Sequence, residues 1–237
     1  MRGSRPHADN MVLRHWVCNA VHVVVAAILL VTAYAPAASA GSGEPVRIVV
    51  LGDSLVAGFN IPTNEAFPAQ LERALKAKGH NVEVINAGVS GDTTAGGLER
   101  LQWAIPDKTD AVILELGAND ALRGLDPKRA KANLEAIIKT VQGAGTEVLL
   151  AGMAAPRNLG APYVEAFDGM YPALAKQYGL LLYPFFLDGI VMNPSYNLGD
   201  GLHPNPKGVA VIVERIMPKV EELIAKVAAK RSANPKG

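Results

Sequence analysis

The sequence predicts an α/β fold of three layers, in which a five-stranded parallel sheet lies between two layers of helices. Short apolar runs alternate along the chain with longer segments of helical periodicity, which indicates strand–helix–strand units. The runs are apolar at successive positions, as is typical of parallel strands that helices cover on both faces. The predicted strands are Val46–Leu51, Val82–Ile85, Ala111–Leu116, Glu147–Ala151 and Leu180–Phe186.

The helical segments are recognised by capping residues and by apolar side chains that recur every 3.6 residues. The clearest covers 127–142, where Asp126 can cap the helix, Pro127 occupies its first position and Gly143 ends it. Further helices are expected over about 66–78, 94–105 and 163–178, and after Asn205-Pro206. The domain should therefore cover about 41–230, with a polar, frayed tail over 231–237.

The first forty residues differ from the rest and are organised like a secretory signal peptide. Three arginines precede the apolar run Val23–Leu30, and Ala38-Ser39-Ala40 is typical of a signal-peptidase site. The alternative is a membrane anchor, but the apolar run is shorter than the ~20 residues that a spanning helix needs. We expect cleavage after Ala40, a periplasmic or secreted domain, and no stable membrane insertion once the signal is removed.

Composition argues against several classes of function. The 23 Lys and Arg residues balance 22 Asp and Glu residues, so the chain lacks the basic excess of a nucleic-acid-binding protein. Removal of 1–40 also removes Cys18, the only cysteine, which leaves no disulfide and no cysteine-ligated metal site. The sequence shows no His, Asp and Glu cluster with metal-ligand spacing. We expect neither a metal nor a cofactor.

Polar residues follow the first three predicted strands, at the edge of a parallel sheet where ligands bind. Gly52-Asp53-Ser54-Leu55 follows the first strand, Asn86-Ala87-Gly88 the second and Gly117-Ala118-Asn119-Asp120 the third, and Asp200-Gly201-Leu202-His203 precedes the last helix. Together these blocks contain a nucleophile, a base, a carboxylate to orient the base and donors for an oxyanion. That set is typical of an acyl-transfer site.

Ser54 needs a neighbouring base to become a nucleophile, because a serine hydroxyl is weakly nucleophilic by itself. Histidine accepts a proton near neutral pH and is oriented by a carboxylate on its second ring nitrogen. His203 is the only plausible base, since His80, the other histidine after residue 40, lies in a turn at the opposite edge of the predicted sheet. Asp200 precedes His203 by three residues, close enough to reach the near ring nitrogen.

Three donors could stabilise the oxyanion: the N–H groups of Ser54 and Gly88 and the side-chain amide of Asn119, each contributing roughly 3–4 kcal/mol. Taken singly, these residues have ordinary roles, because serine caps helices and asparagine and glycine are common in loops. We interpret Asp92 as the cap of the helix that begins near Thr93. Asp53 and Asp120 are interpreted as structural.

The four blocks together resemble those of the GDSL, or SGNH, hydrolases. Gly52–Leu55 resembles the first block, Gly88 within Asn86–Asp92 the second, Gly117–Asp120 the third and Asp200–His203 the last, in order over about 46–225. The resemblance implies a flavodoxin-like fold, Ser54 as nucleophile, Asp200 and His203 as its partners, and Ser54, Gly88 and Asn119 as oxyanion donors. The chain looks most like the bacterial periplasmic branch of acyl-CoA thioesterase I, lysophospholipase L1 and arylesterase.

We therefore expect a serine esterase that hydrolyses small-molecule carboxylic esters and thioesters through an acyl-enzyme on Ser54. A carbohydrate O-acetylesterase is an alternative, because the same triad serves acetylated sugars. A lipid- or sugar-binding module would require a broken triad. A phosphate- or flavin-binding protein lacks its glycine-rich loop after the first strand, and the α/β-hydrolase fold lacks its Gly-x-Ser-x-Gly elbow. The loop 154–162 should border the site, and Leu159, Met192, Pro194 and Tyr196 either line an acyl groove or only pack loops.

Overall fold

The structure, a computed structural model, describes residues 43–233. Its strands are β1 (Val46–Gly52), β2 (Val82–Gly88), β3 (Ala111–Glu115), β4 (Glu147–Ala151) and β5 (Leu181–Tyr183). They form one parallel sheet in the order β2-β1-β3-β4-β5. This is the flavodoxin-like order, and it confirms the predicted fold class. The predicted signal peptide, Cys18 and residues 234–237 lie outside the described residues.

Two groups of helices cover the sheet. The helices of residues 43–233 are α1 (Ser54–Ala57), α2 (Phe67–Ala77), α3 (Thr94–Glu99), α4 (Leu101–Ala104), α5 (Ala118–Leu122), α6 (Pro127–Gly143), α7 (Ala161–Tyr178) and α8 (Pro206–Ala233). α2 packs against α8, whereas α6 packs against α3 and α7. Within this part of the chain, none of the helices has the length and apolar character to cross a membrane.

α6 shows how the sequence specifies these elements. The Asp126 side chain accepts a hydrogen bond from the Lys128 N–H at 2.9 Å, and Pro127 sits in the first turn. The apolar face of the helix is fully buried at Leu134, Ile137 and Ile138. Burying a side chain of this size stabilises the fold by about 1.5–3 kcal/mol, so packing of this face contributes far more than helix propensity.

The order of strands positions the functional loops. β1 lies between β2 and β3, so the loops that follow these three strands meet at one edge of the sheet. Side chains from Ile48 to Leu51 in β1 are inaccessible to solvent, as are all five residues of β3. A rigid, buried strand therefore ends directly at Asp53 and Ser54.

Two predicted elements are shorter or interrupted. The predicted strand over 180–186 is paired only from Leu181 to Tyr183. The predicted helix over 94–105 breaks at Arg100, which leaves the helical conformation (φ −95°, ψ 3°). Its guanidinium bonds Asp92 and the Gly52 carbonyl, so a contact distant in sequence overrides local helix propensity.

The predicted polar tail does not begin at Arg231, because α8 continues to Ala233. The Arg231 guanidinium donates to Asp110 Oδ2 at 2.6 Å and to the carbonyls of Glu44 and Pro45 at 2.9 and 3.0 Å. This residue therefore ties the end of α8 to the start of β1 instead of fraying.

Candidate active site

Ser54 occupies a tight strand-to-helix turn at the end of β1. Asp53 caps the short helix α1, since its Oδ1 accepts the Leu55 N–H at 3.0 Å. The turn requires glycine at position 52, where a Cβ would lie 2.3 Å from Val56 Cγ2 and 2.8 Å from the Glu115 carbonyl oxygen. This packing holds the half-buried Ser54 side chain in place at the mouth of a cavity.

The structure brings Ser54, His203 and Asp200 together in a chain of hydrogen bonds. Ser54 Oγ lies 2.8 Å from His203 Nε2, although the residues are 149 positions apart. His203 Nδ1 lies 2.7 Å from Asp200 Oδ2. Because a carboxylate only accepts hydrogen bonds, Nδ1 carries the proton and Nε2 is left to accept the serine proton.

Asp200 is held by its own loop. Its Oδ1 accepts the N–H groups of Leu202 at 2.9 Å and His203 at 3.0 Å, while its Oδ2 accepts from the imidazole. The two backbone hydrogen bonds and then the ring contact lower the pKa of Asp200 to about 2. The carboxylate therefore stays ionised, and oriented toward the imidazole, well below neutral pH.

The predicted oxyanion donors differ in whether their N–H groups already make hydrogen bonds. Among the hydrogen bonds of residues 43–233, none uses the Ser54 N–H, whereas the Gly88 N–H donates to Asn86 Oδ1 at 2.9 Å. A Cβ on Gly88 would lie 2.3 Å from the Ala57 nitrogen, so this glycine is required for packing against α1. Gly91, three residues further along, has a φ of +87°, and within the described chain its N–H makes no hydrogen bond.

The Asn119 side chain lies beside Asp53. Its Nδ2 donates to Asp53 Oδ2 at 3.0 Å and to the Asp92 carbonyl at 2.9 Å. Asn119 therefore lies next to the nucleophile turn, with both amide hydrogens bound to protein oxygens. A substrate oxyanion would have to replace one of them, as happens where catalytic hydrogen bonds tighten only in the substrate complex.

Asp92 and Asp120 hold the loops around the site through contacts with Arg100 and Thr94. The interpretation of Asp92 as a helix cap is wrong, because Thr93 caps α3 by accepting the Gly96 N–H. Asp92 instead pairs with Arg100. Asp120 is structural, since its carboxylate accepts both the N–H and the hydroxyl of Thr94 at 2.8 and 2.7 Å. These contacts fix the loops after β2 and β3 against each other.

Two carboxyl groups are buried directly beneath Ser54. Burial raises the pKa of Asp53 to about 6, although the Leu55 N–H and the Asn119 amide both oppose this shift. Burial and then the Asp53 carboxylate hold the pKa of Glu115 well above its usual value. Glu115 Oε2 accepts only a long 3.4 Å bond from the Asp53 N–H. Glu115 is not among the site residues predicted from the sequence, although a glutamate inside an apolar strand is itself a signal.

A cavity of about 540 Å³ opens beside the Ser54 hydroxyl. Its walls are mostly apolar and come from the loops after β1, β3, β4 and β5. They include Leu55, Met153, Pro156, Phe185, Leu187 and Val191. Exposed apolar side chains rim its mouth, among them Leu122, Met192 and Leu202.

The loop 154–162 borders this cavity through Ala154, Ala155, Pro156 and Arg157, as predicted. Met192 also lines the cavity, whereas Leu159, Pro194 and Tyr196 are not among its walls. Within residues 43–233, no group of three or more His, Cys, Asp or Glu side chains is arranged to hold a metal ion.

Comparison with known proteins decides the family. The sequence profile of the GDSL-like Lipase/Acylhydrolase family matches residues 50–211, which include all four motif blocks. The chain belongs to this family. The match spans Ser54, Asn119 and the Asp200–His203 loop, the residues that the fold brings together.

Individual GDSL-like relatives agree. An arylesterase of Vibrio mimicus is 41% identical over 74% of this chain and 88% of the relative. Thioesterase 1/protease 1/lysophospholipase L1 of Escherichia coli K12 is 36% identical over 75% of this chain and 84% of the relative. The crystal structure of AlinE4, an SGNH-hydrolase family esterase, is 45% identical and covers 77% of this chain and 98% of that one, with a TM-score of 0.65. The chain is accordingly a serine hydrolase that acts on ester bonds.

Proposed function

We propose that Ser54, His203 and Asp200 form the catalytic triad of this hydrolase. The observation that carries the proposal is the unbroken chain of short contacts from Ser54 Oγ through the imidazole to Asp200. Each nitrogen of the ring has a single partner, which fixes the tautomer that a general base requires.

In the first half of the reaction, Ser54 Oγ attacks the carbonyl carbon and its proton passes to His203 Nε2. The tetrahedral oxyanion then collapses, the bond to the alcohol or thiol breaks, and the leaving group takes the proton from Nε2. An acyl-enzyme on Ser54 remains. Asp200 stabilises the imidazolium that exists between these two proton transfers.

In the second half, a water molecule gives its proton to His203 Nε2 and attacks the acyl-enzyme carbonyl. Collapse of the second oxyanion breaks the bond to Ser54 Oγ, which recovers its proton from Nε2. The carboxylic acid is released and the enzyme returns to its starting state.

The oxyanion is proposed to bind the Ser54 N–H, the Asn119 amide and one N–H from the loop after β2. Gly88 was predicted for the third donor, but it must first release Asn86 Oδ1. Gly91 offers an N–H in the same loop that makes no hydrogen bond within residues 43–233. Free donors contribute most to an oxyanion, because they need no rearrangement when charge develops.

The acyl chain is proposed to lie in the apolar cavity beside Ser54. Its volume and its apolar walls favour aryl and alkyl esters or thioesters with a hydrophobic acyl group. The names of the arylesterase and lysophospholipase relatives support the same substrate classes. A carbohydrate O-acetylesterase is less well supported, because a sugar would face apolar walls with few hydrogen-bonding partners.

A substrate panel tests both the mechanism and the acyl preference. We expect p-nitrophenyl esters, palmitoyl-CoA and lysophospholipid to be hydrolysed faster than acetylxylan, and Ser54→Ala to abolish turnover while the circular dichroism spectrum is unchanged. Retained turnover in Ser54→Ala would refute the mechanism. Preference for acetylxylan would instead favour the sugar esterase.

Export to the periplasm or medium is also proposed, from the signal-like organisation of residues 1–40. The proposal is compatible with described contacts that reach back to Gly43, whose carbonyl accepts a hydrogen bond from Asn81 Nδ2 at 2.8 Å. Amino-terminal sequencing of protein recovered from the periplasm should read Gly41 as the first residue. A mature chain that retains the apolar run Val23–Leu30 would contradict cleavage.

A further inference from the structure

Phe59 is held in a constrained turn directly after the helix that carries Ser54. The N–H groups of Gly58 and Phe59 both donate to the Ser54 carbonyl at 3.2 Å. The residues on either side have positive φ angles, 82° at Gly58 and 55° at Asn60. A Cβ on Gly58 would lie 2.6 Å from Ala66 Cβ. The direction of the Phe59 side chain is therefore set by the same short element that positions the nucleophile.

The Phe59 ring contacts the imidazole of His203. The ring centroids are 4.5 Å apart and the planes are inclined by 35°, so the aromatic ring covers one face of the imidazole. Ser54 and Asp200 bind the imidazole at its two nitrogens. These two hydrogen bonds act at the edge of the ring, whereas a contact on its face also restricts tilting of the ring plane.

Phe59 does not belong to the acyl cavity. The walls of that cavity include Ser54, Leu55 and His203 but not Phe59. The phenyl ring, which is 37% exposed, lies against the imidazole rather than against the space assigned to the substrate. A role in acyl binding would therefore not explain its position.

We infer that Phe59 is a positioning residue that holds the His203 ring plane and stabilises the imidazolium formed during catalysis. The inference rests on the proposed function of His203 as the base. An aromatic face within about 6 Å of a cation contributes about 0.5–1 kcal/mol at an exposed site, which corresponds to a twofold to fivefold effect on rate. Because this stabilisation exists only while the ring is charged, it acts on kcat and not on substrate binding.

The test compares Phe59→Leu with Phe59→Tyr and Phe59→Trp in the hydrolysis of p-nitrophenyl butyrate. Phe59→Leu should lower kcat about twofold to fivefold, with KM changed by less than twofold. The two aromatic variants should retain kcat within twofold of the parent. Trp103→Leu is the matched control, because Trp103 is an 84% exposed aromatic residue outside the cavity walls, and its kcat should be unchanged.

Several outcomes would overturn the inference. They are an unchanged kcat in Phe59→Leu, a rise in KM alone, or aromatic variants as impaired as the leucine variant. Proton NMR of the parent gives a second measurement independent of variant folding, since the phenyl ring current should shift the carbon-bound ring protons of His203 upfield. Resonances at ordinary positions would contradict the contact. Ser54→Ala, assayed in parallel, separates the two proposals. Retained turnover in Ser54→Ala would contradict the proposed function. An inactive Ser54→Ala together with a fully active Phe59→Leu would contradict only this inference.

Discussion

Glu115→Gln is expected to change how the stability of the protein depends on pH. Glu115 is inaccessible to solvent, and its Oε1 has no hydrogen-bond partner within residues 43–233. Burial and the neighbouring Asp53 carboxylate hold the pKa of Glu115 well above its usual value. The folded protein therefore keeps this side chain neutral under conditions where the unfolded chain ionises it.

The sign of the effect follows from proton release. Below the unfolded pKa of about 4.3, Glu115 is protonated in both states and imposes no penalty. As the pH rises, the unfolded chain loses the proton and the folded protein keeps it, so the free energy of unfolding falls by about 1.4 kcal/mol per pH unit. The loss continues until the pH passes the folded pKa. Glutamine carries no titrating proton, so the variant lacks this slope.

The measurement is the free energy of urea unfolding at intervals from pH 5 to pH 8. As the pH rises, the free energy of unfolding of Glu115→Gln should increase relative to that of the parent by about 1.4 kcal/mol per pH unit. This change holds while Glu115 stays neutral in the folded parent and ionised in the unfolded parent. An unpaired glutamine amide adds a destabilising offset of about 1–3 kcal/mol, which does not vary with pH. The slope is therefore the readout, not the absolute difference.

Burial also raises the pKa of Asp53 to about 6. Asp53 therefore also lowers the free energy of unfolding as the pH rises from its unfolded pKa to its folded pKa. It is present in both proteins, so its contribution cancels to first order in the difference. Glu99→Gln, at an exposed position on α3, is the matched control for the same substitution at the surface. Parallel stability curves for the parent and Glu115→Gln would refute the reasoning.

Three further results are expected. Asn119→Ala should lower kcat by about 10²–10³-fold, the loss typical of one oxyanion donor. Steady-state kinetics that determine kcat and KM separately check this expectation, and a change in KM alone would contradict it. Asp200→Asn should lower kcat by about 10⁴-fold at pH 7, because the amide no longer enforces the required imidazole tautomer; near-parental turnover would argue against the triad. Parent activity should fall as the pH is lowered, because a general base works only in its unprotonated form, whereas Asp200, with a pKa of about 2, remains ionised. A pH–rate profile that stays flat to pH 4 would contradict His203 as base.

The architecture could be predicted because the strands of a covered parallel sheet are apolar runs that differ visibly from the helices between them. β4 has the predicted bounds, and α6 differs by one residue. The interruption at Arg100 could not be predicted, since it depends on an ion pair with Asp92 and a bond to the Gly52 carbonyl. Local periodicity carries no information about contacts of this kind.

The meeting of Ser54 with His203 could be predicted because parallel strands end at one edge of the sheet. The state of the oxyanion donors could not, because the bond from the Gly88 N–H to Asn86 is a detail of loop conformation. The contact of Phe59 with His203 could not be predicted from the sequence either, because it joins two loops that are far apart along the chain. Glu115 left a readable signal, a charged residue within an otherwise apolar strand.

The most direct test of the central claim is covalent capture of the nucleophile. Incubation with a p-nitrophenyl phosphonate, followed by peptide mass spectrometry, should place one phosphonyl group on Ser54 and release one equivalent of p-nitrophenol. His203→Ala should slow this labelling by orders of magnitude, because the serine loses its base. Modification of a different residue, or labelling of Ser54 at the parental rate without His203, would contradict the account.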